Sequence, residues 1–318
     1  MARTNGVAST VMAGLVPAGL ACFIGLAAAP AIAQDKGTTD PRPLPPLSNP
    51  SDPHLPAKQV FGRVLGPADL QSRSIGFYAR GCLAGAEALP INGGAWQVMR
   101  LSRNRNWGNP ALIAFLERFA KRVPSINGWP GLLVGDISQP RGGPMLTGHA
   151  SHQVGLDADI WLSPMPNREL SRQEREMMSA TNVVRPDGKD VDLSAWTAGH
   201  MSLIEAAAQQ PEVERIFVNP AIKKAICRDA RGDRSWLDKV RPMWGHNYHF
   251  HVRIACPDGD ASCTPQAPVG TGEGCDASLD WWFKPEVLHP RLNPNAKPKP
   301  AITVADMPAA CRQVLVAQ

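Results

Sequence analysis

The chain has 318 residues, long enough for one large domain or two small ones, and 43% of them are apolar, enough for a substantial core. Lys and Arg number 33 against 28 Asp and Glu, a mild net charge of +5 that suits work near an anionic polymer. No dense Lys/Arg block occurs, which excludes a nucleic-acid-binding protein built on one.

The N-terminus reads as an export signal. Arg3 supplies the positive end, residues 11–29 are apolar, and Ala31-Ile32-Ala33 is a small-x-small cleavage site before Gln34 and Asp35. A membrane anchor is the other reading of so long an apolar run; no later stretch is apolar enough to span a bilayer. Removal of residues 1–33 takes Cys22 with it and leaves Cys82, Cys227, Cys256, Cys263, Cys275 and Cys311. An even set in an exported chain points to an oxidising compartment and up to three disulfides, but six cysteines allow fifteen pairings and spacing does not choose among them.

Residues 34–57 carry Pro41, Pro43, Pro45, Pro46, Pro50, Pro53 and Pro56 and read as an extended linker. Asn109-Pro110 is an N-cap and first-turn pair for a helix that reaches Val123, with Leu112, Leu116 and Phe119 on one face. Residues 131–136 read as a buried strand, 157–162 as a strand with Asp157 and Asp159 on one face, and 169–180 and 201–209 as helices. Residues 213–218 read as a strand, Asn219-Pro220 caps a helix to Cys227, and 248–255 alternates as a strand with His249, His251 and Arg253 on one side. The expected fold is α+β: one domain, 58–289, with a central antiparallel sheet flanked by helices and loops. A Pro-rich tail, 290–318, is tied back through Cys311.

Five of the eight histidines fall in two short stretches, His149 and His152 in one, His246, His249 and His251 in the other. Imidazole and carboxylate are the ordinary ligands of zinc. His152 and Asp159 are joined through Gly155, which permits the sharp turn that lets both converge. With one of His249 and His251 they form a two-His-one-carboxylate site that leaves a position open for water, and the other imidazole of the pair then serves as general base. Asp157 is either a partner that orients an imidazole or a solvated acid. His54, His200 and His289 read as isolated polar groups. Trp236, Trp244, Trp281 and Trp282 read as packing residues, and Arg100, Arg103 and Arg105 as a charged face with a second reading as a clamp for a substrate carboxylate.

At these residues the sequence resembles the penicillin-insensitive murein endopeptidases, periplasmic zinc peptidases of the lysostaphin and D-Ala-D-Ala metallopeptidase group. The likeness is carried by His-Ala-Ser-His-Gln-x-Gly-Leu-Asp-x-Asp-Ile-Trp at 149–161 and Tyr-His-Phe-His-Val-Arg-Ile at 248–254, with support at 74–78 and 96–105. The resemblance implies zinc on His152, Asp159 and His251, with His149 a further ligand or neighbour. It implies His249 as the catalytic imidazole assisted by His246, and cleavage of the D-alanyl–meso-diaminopimelyl cross-link of peptidoglycan. It also implies the disulfides Cys82–Cys311, Cys227–Cys275 and Cys256–Cys263, and it allows a homodimer bridged by a second zinc near residues 187–192. A D,D-carboxypeptidase or dipeptidase on uncross-linked stems, or an inactive cell-wall binding module, are the alternatives.

Overall fold

Two alternating strands set the architecture, because each must bury one face and leaves the other for chemistry. The computed structural model describes residues 1–2, 34, 36–291, 295 and 299–318; the export signal and its cleavage position fall on residues outside that set. By their contacts Gln34–Gln318 group as one unit. Helix α1 (Ala57–Phe61) is followed by the hairpin β1 (Arg73–Phe77) and β2 (Arg80–Ala84), and by a small pair, β3 (Glu87–Ala88) with β6 (Trp107–Gly108). The main sheet joins β4 (Asn92–Gly93), β5 (Trp96–Val98), β7 (Leu132–Val134), β8 (Asp157–Trp161), β9 (Val213–Val218), β10 (Val240–Pro242) and β11 (His249–Ile254). Its seven strands lie in the order β10-β9-β11-β8-β7-β5-β4.

The expected antiparallel sheet is a mixed one. Its centre, β9-β11-β8-β7, is antiparallel, but β5 pairs with β7 and β9 with β10 in parallel. Parallel neighbours need a crossover, and each pair has one: α2 (Pro110–Asn127) lies between β5 and β7, and α5 (Pro220–Asp229) between β9 and β10. The helix expected over 169–180 is also shorter. It is α3 (Arg172–Met177), opened by a Ser171/Glu174 capping box and closed where Met178 turns extended.

Helix α2 starts where its sequence says, with the Asn109 side chain accepting from the Ala111 amide at 3.0 Å. Its buried Leu112, Ile113, Phe115, Leu116, Phe119 and Val123 are each worth about 1.5–3 kcal/mol of burial. They share one core with α4 (Ala198–Ala208), α5 and one sheet face, which contributes Val134, Ala158, Ile160, Phe250, Val252 and Ile254. Period-two geometry then sends Asp157, Asp159, His249, His251 and Arg253 to the opposite face. Register fixes their neighbours: His251 stands opposite Asp159, and Arg253 opposite Asp157.

A smaller core lies under the chain ends. Ala57, Phe61, Ile75 and Cys82 pack against Met307, Cys311 and Val314 of the C-terminal segment, which ends in the helix Ala310–Val316. The Cys82–Cys311 disulfide staples this cluster, and Arg141 donates to the carbonyls of Val314 and Leu315, both at 2.8 Å. The other disulfides are Cys227–Cys275 and Cys256–Cys263. The proline-rich segment is largely exposed but touches down at its start: Gln34 exchanges two hydrogen bonds with Ala180, and the Gly37 amide donates to the Glu176 carbonyl.

Candidate metal centre

His152 lies between β7 and β8 in the left-handed region at φ 67°, a conformation non-glycine residues avoid unless the surroundings hold it. Three residues on, Gly155 sits at φ 72°, and a Cβ there would meet Leu83 Cδ2 at 2.5 Å and the Asn109 nitrogen at 2.8 Å. Its carbonyl accepts from the Asn109 amide, so the loop is pinned to the start of α2. That pinned turn carries His152 back over the first residues of β8.

Four imidazoles then face one carboxylate. Asp159 Oδ1 lies 3.4 Å from His152 Nε2 and 3.6 Å from His251 Nδ1, and its Oδ2 lies 3.6 Å from both His149 Nδ1 and His249 Nε2. These separations are long for hydrogen bonds, but donors about 2.0–2.2 Å from a shared tetrahedral zinc stand roughly 3.4 Å apart. The donor atoms of His149, His152 and Asp159 all fall within 4.8 Å of one another. His152 Nε2 and Asp159 Oδ1 are buried with no hydrogen-bond partner, which a protein seldom tolerates without an ion or water between them.

The far nitrogens of three rings are anchored, and the anchors choose the tautomers. His152 Nδ1 donates to the Ile137 carbonyl at 2.5 Å, His251 Nε2 to Asp157 Oδ1 at 2.8 Å, and His149 Nε2 to Asp136 Oδ2 at 3.0 Å. Each leaves a bare nitrogen aimed at Asp159, the arrangement that imidazole ligands require. His249 and His246 differ. His249 Nδ1 is buried without a partner, while His246, nearer the rim at φ 52°, donates from Nδ1 to the Trp244 carbonyl at 2.9 Å. The two rings lie 4.8 Å apart.

Electrostatics divides the site further. Burial pushes the carboxyls of Asp136, Asp157 and Asp159 up, but their partners more than reverse this and hold all three well below the usual carboxylate range. Two of the three have fixed counter-charges. Asp157, fully buried, takes Arg253 Nε at 2.7 Å, and Asp136 takes Arg103 at 2.9 Å and Arg105 at 2.8 Å. Asp159 pairs with no Lys or Arg of the described residues and meets only the imidazoles. Burial lowers His249 to about 3 and His251 to about 4, which keeps both neutral near pH 7, and it lowers His246 as well. Burial also pulls on His152, but the Asp159 and Asp157 carboxylates outweigh it and raise that imidazole, so positive charge is favoured between His152 and Asp159.

Asp157 thus touches a ring that faces Asp159 and also accepts from the His152 amide at 3.0 Å. Arg103 pairs with Asp136, and Arg100 donates to the carbonyls of Arg175 and Met178. The acids at 187–192 are engaged within the chain, Asp187 with Arg185, Asp190 with Arg228 and Lys224, and Asp192 with Ser194. Of Trp236, Trp244, Trp281 and Trp282, the first is core, and the other three form an edge-to-face surface cluster beside the His246 loop. Sequence reasoning missed the wall after β7. Gly135 and Asp136 bond the main chain of Asp159, Asp136 bonds His149, Ile137 bonds His152, and Ser138 donates to the His152 carbonyl at 2.7 Å. The one signal for it was an acid closing the apolar run 131–136.

Comparison with known proteins covers most of the sequence. The family model described as penicillin-insensitive murein endopeptidase matches residues 74–316. A protein of that name from Haemophilus influenzae is 44% identical over 267 residues, 81% of this chain and 87% of that protein. Those from Klebsiella pneumoniae and Yersinia enterocolitica are 41% and 40% identical over 259 residues, again 81% of this chain, and 92% and 91% of theirs. With the five clustered histidines, the buried acids and nearly all its folded length inside that match, the chain belongs to the penicillin-insensitive murein endopeptidase family.

Proposed function

We propose that the protein is a zinc-dependent endopeptidase of the periplasm that hydrolyses the D-alanyl–meso-diaminopimelyl cross-link of peptidoglycan. The observation that carries the metal is Asp159, a buried carboxylate ringed at 3.4–3.6 Å by four imidazole nitrogens and lacking a Lys or Arg partner among the described residues. In this reading His152, Asp159, His251 and His149 hold the ion. Zinc, when bound, supplies a Lewis acid that lowers the pKa of a water to roughly 7 and stabilises negative charge on the cleaved carbonyl.

The chain's own residues do the rest. His249 is kept neutral by burial, so it is able to take up a proton at the Nε2 that faces Asp159. His246, with Nδ1 committed to the Trp244 carbonyl, presents its Nε2 at the rim and assists with the proton required by the leaving amine. Asp157 and the Ile137 carbonyl keep His251 and His152 in the tautomers that ligation requires.

The test is digestion of purified cross-linked and monomeric muropeptides, followed by mass spectrometry, with and without a chelator. Cross-linked dimers should fall to monomers, and the chelator should stop it. Trimming of monomers alone would replace the proposal by a carboxypeptidase, and cleavage indifferent to chelation would remove the metal from it.

A further inference from the structure

Asp136 follows the last residue of β7 by two positions and is used in a lopsided way. Its Oδ2 accepts three hydrogen bonds, from Arg105 at 2.8 Å, Arg103 at 2.9 Å and His149 Nε2 at 3.0 Å. Its Oδ1 is buried with no partner. Its backbone carbonyl accepts from the Asp159 amide at 3.0 Å. One residue therefore fixes both the main chain of Asp159 and the ring of His149, whose other nitrogen faces Asp159 Oδ2.

Among the four imidazoles around Asp159, His149 most needs such a hold. Its side chain is 21% exposed against 0% for His152, 6% for His251 and 11% for His249. It belongs to a loop rather than a strand, next to Gly148 at φ 84°, so neither a ladder nor a packed core sets its rotamer. The hydrogen bond to Asp136 does, and the two arginines in turn fix the carboxylate.

We propose that Asp136 is a positioning residue for the metal centre: by accepting the Nε2 proton of His149 it selects the tautomer with a bare Nδ1 and aims that lone pair at a cation bound on Asp159. The inference rests on the metal reading above, and its tests separate the two. A hydrogen-bonded partner of this kind is worth roughly 10–100-fold in metal affinity.

The first measurement needs no substitution. Nitrogen-15 NMR of the histidine rings in the metal-free wild-type protein should find His149 carrying its proton on Nε2; a proton on Nδ1 overturns the proposal. The second is zinc affinity by chelator competition, together with the visible spectrum of the cobalt-substituted protein. Asp136→Ala should weaken zinc by roughly 10–100-fold and alter the cobalt bands. Asp136→Asn should stay within a few-fold of wild type, because Oδ1 has no donor to lose and the amide oxygen can still face the three donors. In a His149→Ala background, Asp136→Ala should cost no further affinity. An equal loss in that background would make Asp136 a general structural residue and sink the proposal. Failure of the wild type to bind zinc would instead sink the metal reading itself. Asp136→Ala strands the buried Arg105, so if that variant does not fold, the ring tautomer and Asp136→Asn decide: an Asn variant weakened tenfold or more refutes acceptance of the proton as the mechanism.

Discussion

Asp157→Ala is the substitution that best separates fold from chemistry in this site. Asp157 is fully buried and accepts from Arg253 Nε at 2.7 Å, His251 Nε2 at 2.8 Å and the His152 amide at 3.0 Å. Removing one partner of a buried ion pair leaves the other charge uncompensated and costs about 3–5 kcal/mol. For a domain of this size each kcal/mol moves Tm by about 2–4 °C, so the metal-free variant should melt roughly 6–20 °C lower. Zinc affinity should fall by about 10–100-fold, because His251 loses the acceptor that holds its proton on Nε2. Adding Arg253→Met divides the two losses. Arg253 lies over the Tyr78 ring at 4.1 Å, a place a thioether fills well, and replacing a buried pair by packed apolar groups is often neutral or stabilising. The double variant should therefore recover most of the thermal stability and none of the zinc affinity. Differential scanning calorimetry of the metal-free proteins and chelator competition read the two separately. Affinity that returns together with stability would refute the argument, since Asp157 would then act on the metal only through the fold.

Two further outcomes follow from features away from the site. The Cys82–Cys311 disulfide joins residues 229 apart in sequence, and the chain-entropy model assigns such a loop about 5 kcal/mol, with measured values commonly nearer 2–4. Replacing both cysteines by Ala should destabilise the protein by about 2–5 kcal/mol and make the segment after Ile302 the first released by limited proteolysis; cleavage starting elsewhere would contradict this. Lys223 is fully buried, donates to the carbonyls of Leu237 and Glu273, and is pushed down to about 7, first by burial and then by Arg241. Its ordinary value is about 10.4, so between pH 7 and 10 the unfolded chain binds a proton that the folded chain has released. Stability contributed at this position therefore rises with pH across that window and is flat below it. Relative to Lys223→Met, the wild type should gain on the order of 1–3 kcal/mol between pH 7 and 9 in urea titrations, and an unchanging difference over that range would exclude the shift.

The parts of this molecule legible in the sequence are those fixed by local periodicity. Alternation in 157–162 and 248–255 put Asp157 with Asp159 and His249 with His251, and Asn109-Pro110 marked a helix start whose cap bond is present. What periodicity could not reach was register, and register makes the site. That His251 stands opposite Asp159, and Arg253 opposite Asp157, follows from pairing between strands about ninety residues apart. Sheet direction escaped for the same reason: β5 and β7 run parallel because α2 crosses between them, a tertiary outcome that no residue within either strand announces. Asp136 looked like a polar residue ending an apolar run. Its role depends on Arg103, Arg105 and His149, three residues from two other segments, arriving at a single oxygen.

The disposition of charge ties these observations to the coupling between folding and metal. Three carboxylates stay ionised inside one small region, a costly arrangement in low dielectric unless each meets a positive partner. Arginine, permanently charged and able to hold a carboxylate at more than one point, neutralises Asp157 and Asp136, the two acids that orient rings. A further arginine on Asp159 would have paired that acid as well and closed the site. The positions around Asp159 are occupied instead by imidazoles, of which His249 and His251 are kept neutral by burial, and a neutral imidazole offers a lone pair but no charge. In the function proposed above a zinc ion takes the place of that arginine, and the free energy of binding it becomes free energy of folding. Metal-free protein should consequently be loosest at the His149 loop, which has no strand to hold it, and tightest at β8 and β11, where the ladder persists without the ion. Hydrogen exchange with and without zinc reads this directly: protection that rises on zinc addition at residues 148–153 and is unchanged at Asp157–Trp161 and His249–Ile254 is the pattern expected of an ion completing a preformed sheet face.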